Sequence, residues 1–349
     1  MLAYHVGIDL HKTVAQVCVL DAEGEVLHER RWRLGTEPER EALLSWLEGF
    51  GPQGQFAVEA LGCNRWFVLA CQARGYEILV VDPTQLDLKR TGKKTDRRDA
   101  REIARRLHLG DLARHALSYF PTEAEYADRK LLRTRHRLAQ TRTALIAQIR
   151  GILNAYAIRP PADTLYTKPA LAWLRRLELG EAALKLALDG LVDSLEAIHR
   201  NVVRLTARSR DAVRSREDLT AMQKELPGAG EQTVFTLVAE LGEASRFGRA
   251  RQAAAYGGAV SRIHQSADRA HHGRITKRGN RELRFILGQW AVRLMARDDR
   301  VKQWAQPMLR RMHKNKVRTA LARRLLVGVW VMLKRGEVFS LEACLGSRA

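Results

Sequence analysis

The first eighty residues alternate between short apolar runs and polar turns. Alternating apolar positions predict three strands joined in a meander, at residues 5–10, 14–20 and 26–33. The pattern then predicts helix, strand, helix and strand, at 37–48, 55–60, 64–74 and 76–81. Strands followed by alternating helices and strands indicate an α/β domain whose later strands are covered on both faces.

The next segment changes from a basic loop to a helix. Nine of the 18 residues from Lys89 to Arg106 are Lys or Arg, and helical spacing begins at about Asp96. A narrow apolar stripe follows, formed by Ala100, Ile103, Ala104 and Leu107. We therefore expect a helix that packs through one thin face.

Two long helices are predicted in the middle of the chain. Residues 122–156 and 171–225 are rich in Leu, Ala and Arg with heptad-like spacing, and Pro160 and Pro161 interrupt them. The simplest interpretation is an antiparallel helical coiled coil, either within one chain or at a dimer contact. Residues 226–334 predict a third region, mostly of short helices. We expect three segments, at 1–118, 119–225 and 226–349.

The charge of the chain indicates a polyanionic partner. Its 349 residues carry 60 Lys and Arg against 39 Asp and Glu, for a formal net charge of +21. A well-solvated surface is the alternative explanation. The sequence has no apolar run of membrane-spanning length, and its N-terminus does not resemble a signal peptide, so we expect a cytoplasmic protein without membrane contact. The four cysteines form no CxxC pair, and no structural zinc is expected.

Four acidic residues are candidates for a metal site. Asp9 falls in the first predicted strand, Glu59 near the end of the fourth, and Asp96 and Asp99 at a helix start, on one face. Carboxylates that converge from a sheet and a helix can hold Mg²⁺ for phosphoryl transfer. The alternative is that Asp96 caps the helix and Asp99 interacts with its dipole.

A glycine-containing turn near residue 228 predicts a second contact with nucleic acid. The segment LPGAG, at 226–230, precedes an apolar helix from Thr233 to Leu241, as in a helix-hairpin-helix element. Gly228 and Gly230 would let the backbone approach a phosphate closely. An ordinary helix connection is the alternative.

The most basic stretch of the chain contains a candidate nucleophile. Residues 246–284 hold ten Arg or Lys against two acids, which suits phosphate neutralisation. Within it, residues 257–273 are bounded by glycine and poorly periodic, and therefore predict a mobile functional loop. Ser261 and Ser266 are its hydroxyl residues. A serine beside arginines can attack a phosphodiester, although most loop serines do not.

Three N-terminal motifs resemble those of a known family. GIDLHK at 7–12, VEA at 58–60 and KTDRRDA at 94–100 are similar to the signature of the DEDD insertion-sequence transposases of the Piv/MooV type. The resemblance implies a RuvC-type, RNase H-like N-terminal domain. It also implies Mg²⁺ binding by Asp9, Glu59, Asp96 and Asp99.

The C-terminal motifs resemble the same family. LPGAG, the segment RQAAAY at 251–256 and GRITKRGN at 273–280 match its C-terminal transposase domain. The resemblance implies a serine that becomes covalently linked to DNA, and Ser266 aligns best. The family usually has Ser-Gly there, with a proline earlier in the loop, whereas this chain has Ser266-Ala267 and a serine at 261. Ser261 therefore remains the alternative.

The resemblance also implies partners. They are the DNA of element ends and targets, an element-encoded noncoding RNA that selects these sites, and further copies of the chain, as dimers paired into a tetramer. The residues expected to contact nucleic acid are Lys93, Lys94, Arg97, Arg98, Gly228, Gly230, Arg262, Arg269, Arg274, Lys277 and Arg278.

Three other functions are compatible with parts of the pattern. A RuvC-like nuclease or junction resolvase would use only the acids and water. A non-catalytic nucleic-acid-binding protein would need neither the acids nor the serine. An actin-like sugar kinase also opens on a Gly-Ile-Asp strand, but the chain lacks a downstream glycine-rich phosphate loop.

Overall fold

The chain divides into two compact units, Met1–Phe120 and Pro121–Ala349. The computed structural model describes residues 4–82, 95–112, 117–258, 261–266, 269–275 and 279–346, with 261–266 and 269–275 described by their backbone. Lys93, Lys94, Lys277 and Arg278 lie outside the described residues. No helix in the described ranges is both long and apolar enough to span a membrane.

The first unit contains a five-stranded sheet of order β3-β2-β1-β4-β5. The first three strands are antiparallel, and β4 and β5 continue the sheet parallel to β1. The predicted meander and the α/β order that follows it are confirmed. The elements are β1 Tyr4–Leu10, β2 Val14–Leu20, β3 Val26–Arg33, α1 Glu37–Glu48, β4 Gly54–Glu59, α2 Arg65–Ala73, β5 Glu77–Val81 and α3 Asp96–His108.

Helices cover both faces of the central strands. Val6, Ile8 and Leu10 of β1 are fully buried in the core that includes residues of α1 and α2. On the opposite face, α3 packs through the predicted apolar stripe, where Ile103 joins residues of β4 and β5. Full burial of an Ile or Leu side chain stabilises the fold by about 1.5–3 kcal/mol. The face covered by α3 is the one that carries Asp9.

The second unit begins with two long helices, α4 Glu123–Ala155 and α6 Ala182–Arg214, with α5 Lys168–Arg176 between them. Two cross-helix contacts define their direction. Arg135 donates to Thr206 Oγ1 at 3.0 Å, and Arg142 Nη1 lies 3.1 Å from His199 Nδ1. The contact residue of α4 with the higher number meets the contact residue of α6 with the lower number. The two helices therefore pack antiparallel within one chain.

The predicted single helix over 171–225 is wrong. The structure has three helices there: α5, which ends at Arg176, then α6, and α7 Glu217–Glu225. Leu177 leaves α5 in an extended conformation, and Arg216 is extended between α6 and α7. The second break, at Ser215 and Arg216, has neither Gly nor Pro, and heptad spacing does not reveal a two-residue interruption.

Shorter elements complete the unit around a core that includes Trp290, Leu325 and Phe235. The predicted loop over 257–273 is also corrected, because its backbone forms an antiparallel hairpin in which Ser266 pairs with Arg269. Polar residues dominate both strands, so their sequence lacks the apolar alternation that indicates a strand. The elements are α8 Glu231–Leu241, α9 Ala250–Tyr256, β6 Ser261–Ser266, β7 Arg269–Ile275, α10 Arg281–Arg297, α11 Asp299–Leu309, α12 Lys314–Arg335 and α13 Leu341–Leu345.

Candidate metal centre

A glycine in β1 brings α3 close to the sheet. A Cβ atom at Gly7 would lie 2.2 Å from the Ala100 carbonyl oxygen and 2.3 Å from the Ala104 nitrogen. Both are backbone atoms of α3, so only glycine permits this approach. Side chains alternate along a strand, and Asp9 therefore faces α3 as Gly7 does.

Strand register places Glu59 beside Asp9. Ile8 pairs with Val58 in the parallel ladder between β1 and β4, so the next positions are Asp9 and Glu59. Neighbouring strands lie about 4.8 Å apart, and side chains at paired positions share a face. Two residues before Glu59, Ala57 packs with Ile103 of α3. Glu59 therefore extends from the same face of the sheet as Asp9.

Along the direction of β1, the start of α3 reaches the same position as Asp9 and Glu59. From Ala100 back to Asp96 the helix rises by about 6 Å, and from Gly7 to Asp9 the strand rises by about 6.6 Å. Asp99 occupies the buried stripe at 4% exposure, whereas the side chain of Asp96 is 48% exposed. Thr95 is the N-cap, and its hydroxyl accepts from the Arg98 amide. The alternative in which Asp96 caps this helix is therefore wrong.

His11 joins two of the acids, a contact that the sequence analysis did not identify. Its Nε2 lies 3.4 Å from Asp9 Oδ2 and 3.6 Å from Asp96 Oδ1. One ligand atom from each of these three residues lies within 4.8 Å of the other two, which is close enough to share one ion. Strand alternation extended by two positions past Asp9 could have suggested His11.

The donor atoms fit a divalent cation. Mg²⁺ prefers carboxylate oxygens, and imidazole is a further ligand for the transition metals that often replace it. Asp9, Asp99 and Glu59 are 2%, 4% and 6% exposed. Burying three carboxylates in one layer is unfavourable unless positive charge or protons compensate them. The ligand atoms of Asp9, His11 and Asp96 lie close enough together to suit one divalent cation.

Two polar contacts hold the edges of this site in place. Asn64, which is buried before α2, donates to the backbone carbonyl of Glu59 at 2.8 Å and so fixes the end of β4. On the other side, Glu29 pairs with Arg97 and Arg101. Burial raises the pKa of Glu29, but hydrogen bonds and positive charge from both arginines outweigh it and lower the pKa. Arg97, expected to bind nucleic acid, thus has a partner within the unit.

In the second unit, a buried glutamate anchors the base of the β6–β7 hairpin. Glu240 is fully buried and accepts two hydrogen bonds from Arg133 of α4, at 2.8 and 2.7 Å. It also accepts from the Asn280 amide at 2.6 Å. The backbone N–H of Asn280 donates to the Tyr256 carbonyl, which joins the two ends of the hairpin segment. This anchor is absent from the sequence analysis because its residues are far apart in the chain.

The Glu240→Gln variant is expected to lose about 3 kcal/mol of unfolding free energy. Removing one partner of a buried ion pair costs about 3–5 kcal/mol, and Arg133, which is half exposed, keeps part of its hydration. Urea unfolding followed by circular dichroism measures the loss. The exposed neighbour Glu243→Gln serves as the control and should change stability by less than about 0.5 kcal/mol. Equal effects of the two substitutions would contradict the anchor.

An acidic centre on the sheet and a strongly basic chain are typical of enzymes that transfer phosphoryl groups on nucleic acid, and comparisons with known proteins identify the class. Residues 6–158 match the DEDD transposase family of IS110 elements, and residues 222–306 match the transposase IS116/IS110/IS902 family. Together these matches cover more than half of the chain. The chain belongs to the IS110/IS116 family of insertion-sequence transposases. The family implies an RNase H-like DEDD domain and a divalent metal.

Similarity to individual transposases extends over nearly the whole chain. The sequence is 27% identical to the transposase for insertion sequence element IS1111A of Coxiella burnetii, over 95% of this chain and 90% of the relative. It is 27% identical to a probable family 20 transposase of Pseudomonas aeruginosa, over 95% and 96% of the two chains. The transposase for element IS1328 of Yersinia enterocolitica is 25% identical, over 96% and 98%.

Proposed function

We propose that this transposase cuts and rejoins DNA by attack of Ser266 on a phosphodiester, assisted by Mg²⁺ held by Asp9, Glu59, Asp96 and Asp99. The observation that carries the proposal is that Asp9 of β1 and Asp96 at the start of α3 form one group with His11, while strand register puts Glu59 of β4 beside Asp9. The His11 imidazole lies within reach of two of them and is a further candidate ligand.

The chemistry divides between the serine and the acidic centre. Bound Mg²⁺ would supply positive charge to the phosphate oxygens and the leaving oxygen. Ser266 Oγ forms a bond to phosphorus while the bond to the 3′ oxygen breaks. The serine proton is lost, and the departing 3′ oxygen gains one. Reversal of the step onto another strand rejoins DNA without ATP, because the phosphoserine bond conserves the phosphodiester energy.

The sequence and the backbone pairing of the β6–β7 hairpin are compatible with a serine that attacks a DNA phosphate. Ser266 ends β6 and pairs with Arg269, the first residue of β7. Arg262 and Arg274 lie on the same two strands, so the segment is rich in cations that can bind phosphates. Ser261, the alternative nucleophile, begins β6 and pairs with Ile275.

Further parts of the proposal rest on the family resemblance and on charge. An element-encoded noncoding RNA would select the DNA sites, and a net charge of +21 suits a chain that binds two nucleic acids. The turn at Gly228 and Gly230 would act as a helix-hairpin-helix contact with phosphates. Helices α4 and α6 would form a coiled-coil segment, over 119–225, between the catalytic segments 1–118 and 226–349. Two dimers would assemble on donor and target DNA, in the cytoplasm.

Substituting Ser266 by Ala tests the proposal. Purified protein is incubated with Mg²⁺, element-end DNA and the adjacent noncoding transcript, and mass spectrometry locates any nucleotide joined to a serine. We expect an adduct on Ser266 of the wild type, and loss of adduct and strand exchange in the variant. Ser245→Ala, an exposed serine outside the hairpin, is the matched control and should retain both. Ser261→Ala should also retain both.

Other outcomes would identify a different mechanism. Continued cleavage by Ser266→Ala without an adduct would indicate a nuclease that uses only the acids and water. An adduct on Ser261 would replace the proposed nucleophile and leave the class of reaction unchanged.

A further inference from the structure

A pocket of about 220 Å³ lies between α10 and α12 in the second unit. A cavity needs about 10–15 Å³ to admit one water, so this pocket has room for a considerably larger group. The pocket is partly open to solvent, and Leu287 and Ala322 supply apolar lining. Its polar lining consists of Arg284, Asn315, Arg318 and Thr319, and none of the described lining residues is acidic.

Neither pocket arginine forms an ion pair with a described carboxylate. Arg284 Nη1 is buried and has no hydrogen-bond partner among the described residues. Burial, and then repulsion from Arg281, lower the pKa of Arg284. Both effects disfavour the charged guanidinium, and a bound anion would relieve both.

The second arginine is held in place by a glycine of the facing helix. Arg318 Nε donates to the Gly288 carbonyl at 3.0 Å, and a Cβ at Gly288 would lie 2.6 Å from Arg318 Nη2. Glycine within a helix costs about 1 kcal/mol relative to alanine. Its presence here makes room for the guanidinium against α10. Gly288 lies one turn after Arg284, so both arginines border the same groove.

The pocket also lies at the positive end of a long helix. Asn315, Arg318 and Thr319 belong to the first two turns of α12, which has 22 residues. Backbone dipoles there add to the two guanidinium charges in favouring an anion. Asn280 ends the hairpin segment, and Arg284 lies one turn beyond it on α10. The backbone N–H of Arg284 donates to the Asn280 carbonyl.

From this geometry we infer that the pocket binds a backbone phosphate of nucleic acid, through Arg284 and Arg318. Arginine pairs readily with phosphate oxygens through two parallel N–H donors. The open side of the pocket suits a group that is part of a longer chain. The inference rests on the proposed function in taking nucleic acid as the ligand. It adds a phosphate contact beside the base of the hairpin that carries Ser266.

Binding measured without chemistry tests the inference. Full-length protein in EDTA is titrated against a labelled DNA duplex and against RNA of the same sequence, by fluorescence anisotropy at several salt concentrations. Arg284→Gln should weaken binding about tenfold at low salt. It should also reduce the magnitude of the slope of log affinity against log salt concentration by about one, which is the change expected when one phosphate contact is lost. If Arg284→Gln weakens the binding of DNA alone, of RNA alone or of both, the result identifies which nucleic acid places a phosphate in the pocket.

Two further variants separate the pocket from general charge. Gly288→Ala keeps the net charge but displaces the Arg318 guanidinium, and it should weaken the same binding. Arg323→Gln removes an exposed cation of α12 outside the pocket lining and should change affinity less than about twofold. Thermal unfolding of each variant confirms that the fold is kept.

The inference is overturned if Arg284→Gln and Arg323→Gln weaken binding equally, or if neither Arg284→Gln nor Gly288→Ala weakens it. Because EDTA stops the metal-dependent reaction, these results do not depend on the nucleophile. If no adduct forms on Ser266, the assignment of the pocket as a phosphate site is therefore unaffected. If the pocket does not bind phosphate, the role proposed for Ser266 is likewise unaffected.

Discussion

Strand exchange by the Asp9→Asn variant is expected to fall by at least about a thousandfold, because the carboxylate proposed to bind the metal is replaced by a neutral amide. Asp9 is 2% exposed in β1, and one of its oxygens lies 3.4 Å from His11 in the group that can share an ion. Asparagine has nearly the same shape, so the packing of α3 against β1 should persist. The substitution therefore removes charge at the centre and little else.

Four measurements on Asp9→Asn distinguish loss of metal binding from loss of folding. Strand exchange is followed as a function of Mg²⁺ concentration, and calorimetric Mn²⁺ titration should show weaker binding than in the wild type. DNA binding in EDTA and thermal unfolding should be unchanged. Asp111→Asn, at a partly exposed ion pair with Arg106, is the matched control and should retain full activity. An active Asp9→Asn variant would instead favour a DNA-binding protein without a catalytic acidic centre.

The Gly7→Ala variant is expected to destabilise the first unit by about 3 kcal/mol or more and to abolish strand exchange. Its new methyl group would lie 2.2 Å from a backbone oxygen and 2.3 Å from a backbone nitrogen of α3. Backbone atoms within a helix cannot turn aside as a side chain can, so the whole helix must move. Asp96 and Asp99 would move with it, away from Asp9 and Glu59.

Hydrogen exchange of the α3 amides, together with thermal unfolding, measures this displacement. Protection should fall along α3 and remain unchanged in α4 and α6 of the second unit. Gly62→Ala is the control, since no heavy atom of the described residues, its chain neighbours apart, lies within 4 Å of a Cβ built there, and it should leave both measurements unchanged. Wild-type protection of α3 in Gly7→Ala would show that the approach of helix and strand is not tight.

The site geometry explains why acids so distant in sequence can act together. Register between β1 and β4 brings Glu59 beside Asp9, and the close approach at Gly7 sets the height of α3 over the sheet. Asn64 then holds the end of β4 through the Glu59 carbonyl. A centre built on a sheet and a packed helix is more rigid than one built on loops, and such rigidity helps to hold ligand atoms in a fixed geometry.

Local patterns were sufficient for much of the fold. Alternation and turn residues predicted the five strands and the first three helices of the sheet unit within a few residues, because burial on one face imposes a period of two on a strand. The apolar stripe of α3 was predicted for the equivalent reason in a helix. Where neither face is strongly apolar, as in β6 and β7, the pattern carried no signal and the hairpin was predicted as a loop.

The sequence by itself determined the strand and helix order of the first unit, the positive charge and the four acids with their family motifs. Tertiary structure alone placed His11 between Asp9 and Asp96, joined Glu240 to Arg133 and Asn280, and set Arg284 opposite Arg318. Periodicity reports which side of an element faces a core, since burial acts on each element separately. It does not report which remote residue lies opposite, because that depends on how separate elements pack in three dimensions.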